Sequence, residues 1–273
     1  MPVLENCEPK RVFYYFEEIC KIPHGSGNTK QISDYLVKFA EDHGFKYVQD
    51  EMNNVIIYKP GTPGYEKSPT VIIQGHMDMV CEKRPDVQHD FTKDGLKLVV
   101  KDGFLSAEGT TLGGDDGIAV AYGLALLDST DLPHPALEVV FTVDEETGLL
   151  GADGFDCSLL KGRRMINLDS EKEGCLWVSC AGGIAGNSYL PVRRLEASGR
   201  KVNVKVCGLM GGHSGAEIHK NRASANILMG QFLYELADVC GYALKELEGG
   251  QQDNVITKEC EASILVLPEE IQA

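Results

Sequence analysis

Residues 71–80, VIIQGHMDMV, end an apolar run with His76 and Asp78 two positions apart. In a strand, residues i and i+2 share a face, so both side chains would reach the same side of a sheet edge. Imidazole is a common metal ligand, and a neighbouring carboxylate fixes its tautomer and raises its basicity. For this pair alone, a shared surface hydrogen bond is the plainer alternative. Three further acidic clusters add to it. TTLGGDDGIA sets Asp115 and Asp116 between a glycine loop and a helix start. They can cap the helix and complement its dipole, or supply a carboxylate whose two oxygens bridge two cations. TVDEETG sets Glu145 and Glu146 at the end of the apolar run LEVVF, where adjacent side chains diverge and one can coordinate while the other faces a substrate; a solvated loop is the alternative. Asp169, in MINLDSE, again follows an apolar run, where capping the next element is the alternative.

Taken together, His76, Asp115, Glu146 and Asp169 are expected as ligands converging from four element ends, with Asp116 as the fallback for Asp115. The mixed nitrogen and oxygen set suits zinc, manganese or cobalt better than calcium, and the absence of nearby cysteine argues against a structural zinc knot. Two cations about 3.5–4 Å apart would polarise one carbonyl and acidify a bridging water. Glu145 would take the proton from that water and pass it to a leaving amine. GTTLGGDDG has neither a P-loop lysine nor GxGxxG spacing, and its carboxylates repel phosphate, which excludes a nucleotide site.

A chain of 273 residues with 43% hydrophobic side chains builds one large domain or two ordinary ones. Its 41 acidic against 26 basic residues, a formal charge of −15, argue against nucleic acid or an anionic membrane as partner. The nine cysteines form no C-x-x-C pair and are odd in number, as reduced thiols of a cytosolic protein would be. MPVLENCEPKR lacks the features of a signal peptide, and no apolar run approaches the ~18 residues of a membrane span. The expectation is a soluble, cytoplasmic protein.

The elements that must position these residues follow from periodicity. Val12, Phe13, Phe16, Ile19 and Cys20 make a helical stripe after Pro9, and Ile32, Tyr35, Leu36, Phe39 and Ala40 make a second that Gly44 is placed to end. Residues 54–58 and 71–74 read as strands, and 96–105 as a hairpin turning at Asp102-Gly103. A helix through Ile118, Ala121, Tyr122 and Ala125 follows the glycine loop, and 137–143 and 165–168 read as buried parallel strands. Alternating strands and helices predict an α/β sheet with ligands beyond the strand ends. Near Gly182 the pattern changes: strands at 187–192 and 201–206, a helix through Ala225, Leu228, Met229, Phe232 and Leu236, and a strand at 262–267 predict a small α+β domain. The expected division is 1–184 and 185–273.

GHMDMV, LGGDDG, DEETG and NLDSE, in this order and at these separations, resemble the M20 family of dinuclear metallopeptidases, and within it the aminoacyl-histidine dipeptidase branch. The resemblance covers essentially the whole chain. It implies a phosphorylase/hydrolase-like zinc-peptidase catalytic domain of α/β class, plus an α+β lid and dimerisation domain, both incomplete here. It implies two zinc ions, with manganese or cobalt as substitutes. His76 would hold one metal, oriented by Asp78; Asp115 would bridge, ahead of a cis peptide bond; Glu145 would be the base, Glu146 would serve the second metal and Asp169 the first. In GLMGGHSGAEIH, His213 would help polarise the scissile carbonyl, with His219 a weaker candidate, and Asn254 in GGQQDNVI would bind substrate. The implied substrates are aminoacyl-histidine and other short dipeptides, and the implied partner a second copy, through the lid. An amidase or deacylase on the same scaffold is the alternative within hydrolases. Family members supply a last histidine ligand after the lid, and none of the histidines at 24, 43, 76, 89, 134, 213 and 219 occupies its place. The departure implies a weakly held second ion, and either a non-catalytic fragment or a separate C-terminal polypeptide that completes the site.

Overall fold

The structure, a computed structural model, describes residues 2–170, 172–180, 182, 186–215, 217–250 and 255–266. The chain divides into two compact units, Met1–Ser179 and Cys180–Ala273.

In the first unit, α1 (Lys10–Cys20) and α2 (Lys30–Asp42) bury the stripes expected of them: Val12, Phe16, Ile19 and Cys20 on one, Ile32, Leu36, Phe39 and Ala40 on the other. Gly44, at φ +68°, closes α2. Its N–H donates to Glu41 O and that of Phe45 to Ala40 O, the paired bonds that satisfy the last carbonyls of a helix. Next come β1 (Lys46–Gln49), β2 (Val55–Lys59), β3 (Val71–His76), the hairpin β4 (Leu98–Lys101) and β5 (Phe104–Ala107), α3 (Gly114–Asp128), β6 (Leu137–Thr142), the single turn α4 (Leu150–Asp153) and β7 (Arg164–Asn167). Asp102 and Gly103 both have positive φ, as a two-residue hairpin turn requires.

The sheet order is β1-β2-β6-β3-β7. β1 and β2 are antiparallel to their neighbours, whereas β3 runs parallel to both β6 and β7. In register, His76 lies opposite Thr142, and Gln74 opposite Asn167. The carboxyl ends of the three parallel strands therefore share one edge, and the residues just after them emerge together. Phe16, Ile19, Ile32, Leu36, Ile57, Val120, Leu124 and Phe141, all nearly inaccessible to solvent, form the core between α1, α2, α3 and the sheet.

One strand departs from expectation. β6 is buried along its whole length, but in β7 Met165 and Ile166 are 62% and 51% exposed. β7 pairs only with β3, at the sheet edge, and among the described residues nothing covers it; an apolar run marks a strand without fixing its place in the sheet.

The second unit contains β8 (Arg200–Val206), β9 (Gly212–His213), α5 (Ala225–Leu236), β10 (Tyr242–Gly249), β11 (Val255–Ile256) and β12 (Cys260–Val266). Its main sheet is antiparallel, in the order β10-β12-β8, and Ala225, Met229 and Leu233 of α5 pack with Cys260, Ala262 and Ile264 of β12. Leu228 and Phe232, expected on the buried stripe, are 37% and 41% exposed. Residues 187–192 form no strand: Tyr189, Leu190 and Val192 are 92%, 86% and 76% exposed, because alternation without a paired neighbour supplies no ladder. Sequence reasoning passed over β1, the two-residue β9 and β11, and β10, YALKELEG, where a register shift between Leu244 and Glu246 breaks the alternation and three charged residues hide it further. Of the strand expected at 262–267, residues 262–266 lie in β12, and Leu267 lies outside the described residues. Among the described residues, no helix is long and apolar enough to cross a membrane.

Candidate metal centre

The first unit's site is built outward from His76, the last residue of β3. His76 and Asp78 are each 1% exposed. Gly75 lets α3 begin against the strand: a Cβ there would lie 2.3 Å from Ala119 Cβ and 2.6 Å from Asp116 Oδ2. Through that gap Asp116 reaches back, and its Oδ2 accepts the His76 N–H at 3.2 Å. The His76 ring places Nδ1 3.0 Å from Asp78 O and 3.3 Å from Asp78 Oδ1. Both are acceptors, so Nδ1 carries the hydrogen and Nε2 is the outward atom.

Three carboxylates face that atom. Asp115 Oδ1 lies 3.0 Å from Nε2, and Glu145 Oε2 and Asp169 Oδ2 each lie 3.9 Å away. Two sets of donors have all their ligand atoms within 4.8 Å of one another: His76 with Glu145 and Asp169, and His76 with Asp115 and Glu146. The peptide bond between Asp115 and Asp116 is cis. The two aspartates part there, Asp115 half exposed and facing Nε2, Asp116 buried behind the ring.

Backbone and polar side chains hold this arrangement. Asp78 Oδ1 accepts the Glu145 N–H at 3.1 Å, and Oδ2 accepts the Ser26 hydroxyl at 2.7 Å and the Glu146 N–H at 3.4 Å. A polar ladder crosses the strand ends: Gln74 donates to Thr142 Oγ1, Asn167 donates to Gln74 Oε1, and Asn167 Oδ1 accepts the Asp169 N–H.

The electrostatics follow from crowding carboxylates into a half-buried edge. Burial pushes Asp116 up to about 7, with the charges of Asp169 and Asp115 adding to it and that of His76 opposing. Burial likewise raises Glu145 and Glu146, reinforced by neighbouring carboxylates and opposed by His76. For His76, burial pushes the pKa down, but Asp78, Asp116 and Asp115 overcome it and hold it at about 10. Asp78 is raised by burial, yet its bonds from His76, Ser26 and the Glu145 N–H bring it below the usual carboxylate range. Such an edge is stable only with positive charge in it, as protons or as a divalent cation. One imidazole nitrogen and several carboxylate oxygens aimed at one volume fit a divalent metal ion.

Of the residues singled out in the sequence, the structure brings together His76, Asp78, Asp115, Glu145, Glu146 and Asp169. Glu145 stands in a donor group in its own right, beside its expected role as base. His213 lies in β9 of the second unit, its N–H donating to Glu217 Oε2 at 3.2 Å and its Nδ1 accepting from the Gly215 N–H at 3.1 Å. His219 lies in the short turn Ile218–Lys220. Asn254 lies outside the described residues. Sequence reasoning passed over Ser26; the triplet Gly-Ser-Gly announces a tight turn, but nothing in its spacing points to Asp78, 52 residues away.

The chain is similar to known proteins along most of its own length. A family model described as the M20 peptidase dimerisation domain matches residues 204–272. The cytosol non-specific dipeptidase of Escherichia coli (strain K12) is 38% identical over 273 residues, covering 99% of this chain and 56% of the relative. The crystal structure of aminoacylhistidine dipeptidase from Vibrio alginolyticus superposes with a TM-score of 0.73 at 37% identity, covering 97% of this chain and 55% of that one. A tripeptidase structure from Staphylococcus aureus, at 21% identity and a TM-score of 0.52 over 96% of this chain and 68% of its own, shares the fold. The chain spans little more than half the length of the two dipeptidases. Similarity along nearly all of its own length to those two dipeptidases, joined to the M20 dimerisation-domain match in its second unit, sets the chain beside the M20 peptidases.

Proposed function

We propose that this chain carries the metal centre of a cytoplasmic dipeptidase that hydrolyses the peptide bond of aminoacyl-histidine and other short dipeptides. The observation that carries the reading is the pair of donor groups meeting at His76 on one sheet edge. His76, Asp115, Glu146 and Asp169 would hold divalent metal, zinc in the first instance and manganese or cobalt as substitutes, with Asp115 as the ligand shared by two ions. When bound, the metal supplies Lewis acidity toward the scissile carbonyl and the attacking water.

The protein's own groups do the rest. Asp78 holds the hydrogen on His76 Nδ1 through its carbonyl oxygen and Oδ1, so that the proton a metal ion would displace is the one on Nε2. Glu145 takes the proton of the attacking water at a carboxylate oxygen and returns it to the leaving amine. Burial and neighbouring carboxylates raise its pKa toward the working range, where a group both accepts and donates readily. Residues 1–184 form the catalytic part and 185–273 the lid and dimerisation part. The second part pairs with a second copy of the chain, and His213 and Asn254 bind substrate. The formal charge of −15 supports a small peptide substrate over nucleic acid or membrane.

The test is dipeptide turnover by the full chain loaded with zinc or manganese, with and without chelator, beside a Glu145→Gln variant. Metal-dependent release of free amino acids, abolished in Glu145→Gln with metal still bound, is the expected outcome. Undiminished turnover by Glu145→Gln removes Glu145 as the base. Absence of turnover in a metal-loaded chain removes the reading that this chain by itself hydrolyses dipeptides.

A further inference from the structure

The turn after α1 contributes no atom to either donor group, yet it is tied to both strand ends that carry them. The Met79 N–H donates to His24 O at 3.2 Å, the Ser26 N–H donates to Met79 O at 3.3 Å, and Gly25 pairs with Met79 as a parallel bridge. Gly25 is buried, and a Cβ there would lie 2.3 Å from Cys81 Sγ, so glycine is what lets the turn lie so close. From this position the turn makes two side-chain contacts with the site. Ser26 Oγ donates to Asp78 Oδ2, and the next N–H, that of Gly27, donates to Asp144 Oδ1, both at 2.7 Å. Asp144 has a positive φ of 53° and immediately precedes Glu145. One turn thus grips the carboxylate behind His76 and the residue ahead of Glu145.

The terminal torsion of an aspartate is soft, so a carboxylate held at one oxygen can still swing. Asp78 is held at both: Oδ1 by the Glu145 N–H, and Oδ2 chiefly by the Ser26 hydroxyl, the Glu146 N–H being farther off at 3.4 Å. The hydroxyl therefore selects the orientation in which Oδ1 stands 3.3 Å from His76 Nδ1. We infer that Ser26 is a positioning residue of the metal centre: its hydroxyl locks the Asp78 carboxylate and, through it, the aim of the His76 ring, while Gly27 pins Asp144 beside Glu145. The inference rests on the metal reading above. Outer partners of a metal-binding histidine typically change metal affinity about 10–100-fold.

The test compares the full chain with Ser26→Ala and Ser26→Thr by three readouts. These are zinc affinity by competition with a chromophoric chelator, hydrogen exchange at the Glu145 amide of the metal-free protein, and thermal unfolding. Ser26→Ala is expected to weaken the tighter ion by about 10–100-fold and to speed exchange at Glu145, with the unfolding midpoint nearly unmoved. Ser26→Thr, which keeps the hydroxyl, restores both. Affinity and exchange unchanged in Ser26→Ala overturn the positioning role and leave the metal reading standing. A large fall in unfolding midpoint that Ser26→Thr does not rescue assigns the residue to folding and overturns the inference. Failure of the unsubstituted chain to take up zinc overturns the metal reading, and this inference with it.

Discussion

Replacing Gly75 by alanine tests the packing that brings α3 to His76. The added Cβ falls 2.3 Å from Ala119 Cβ and 2.6 Å from Asp116 Oδ2. Non-bonded carbons sit best at about 3.5–4.0 Å, so α3 has to retreat from β3 by about 1 Å or more. Alanine also restricts the unfolded chain, which stabilises an extended site such as this by about 0.4–1 kcal/mol. Overpacking a close-packed interior costs about 1–3 kcal/mol. Here the opposing atoms are a helix methyl group and a buried carboxylate, neither the free end of a flexible side chain, so the upper part of that range applies. The net loss is about 2 kcal/mol, a fall of roughly 4–8 °C in the midpoint for a domain of this size. The same substitution at Gly230, in the middle of α5 with nothing within 4 Å, is expected to gain about 1 kcal/mol because glycine is a poor helix former. Urea and thermal unfolding of the two metal-free variants should therefore move in opposite directions. Zinc titration should show weakened uptake only in Gly75→Ala, because Asp115 and Asp116 ride on the first turn of α3. A Gly75→Ala chain of undiminished stability and metal affinity would refute the close approach of α3 to β3 and, with it, the seating of Asp115 against the imidazole.

Three more outcomes follow from contacts already described or close to them. His76→Ala removes the one nitrogen common to both donor groups, so zinc should no longer raise the unfolding midpoint, whereas the unsubstituted chain gains about 2.7 kcal/mol at a hundredfold excess over Kd. Lys59 Nζ donates to Leu126 O at 2.8 Å and Ser129 O at 2.6 Å at the end of α3; Lys59→Met should cost about 1.5–3 kcal/mol in urea unfolding, the range for hydrogen bonds to a charged group. Glu217 is held down at about 2, chiefly by Lys220 and then by the His213 N–H and Arg222. A carboxylate lowered on folding stabilises above its ordinary value of 4.5 and loses that contribution as pH falls through about 2, so the His213 amide resonance should move across that window and stay put in Glu217→Gln.

The sequence was most legible where periodicity and chemistry coincide. His76 and Asp78 end a strand whose neighbours lie in register with it, so a local pattern predicts a global juxtaposition once parallel pairing is assumed. Asp115, Glu146 and Asp169 follow the same logic, each sitting at the mouth of an element. The division of labour between Glu145 and Glu146 was less legible, because adjacent side chains leaving a strand end diverge in ways that only backbone geometry settles. Ser26 and Asp144 were invisible for a different reason: their contacts join segments 52 and 117 residues apart through single hydrogen bonds, which leave no period behind. The false strand at 187–192 and the overlooked β10 show the converse. Alternation is not sufficient for the first, since a strand is defined by its partner, and not necessary for the second, where a bulge at Lys245 shifts the phase.

The sharing of His76 by the two donor groups makes them unequal. A neutral imidazole whose Nδ1 carries hydrogen has one lone pair to give, so it serves a single cation at a time. Whichever ion takes that nitrogen leaves the other, among the described residues, with oxygen alone. The nitrogen-bearing position favours borderline ions such as zinc, and the all-oxygen position is more open to harder ions such as manganese or magnesium. Among the described residues, the two positions on this edge therefore differ in the hardness of the donors they present.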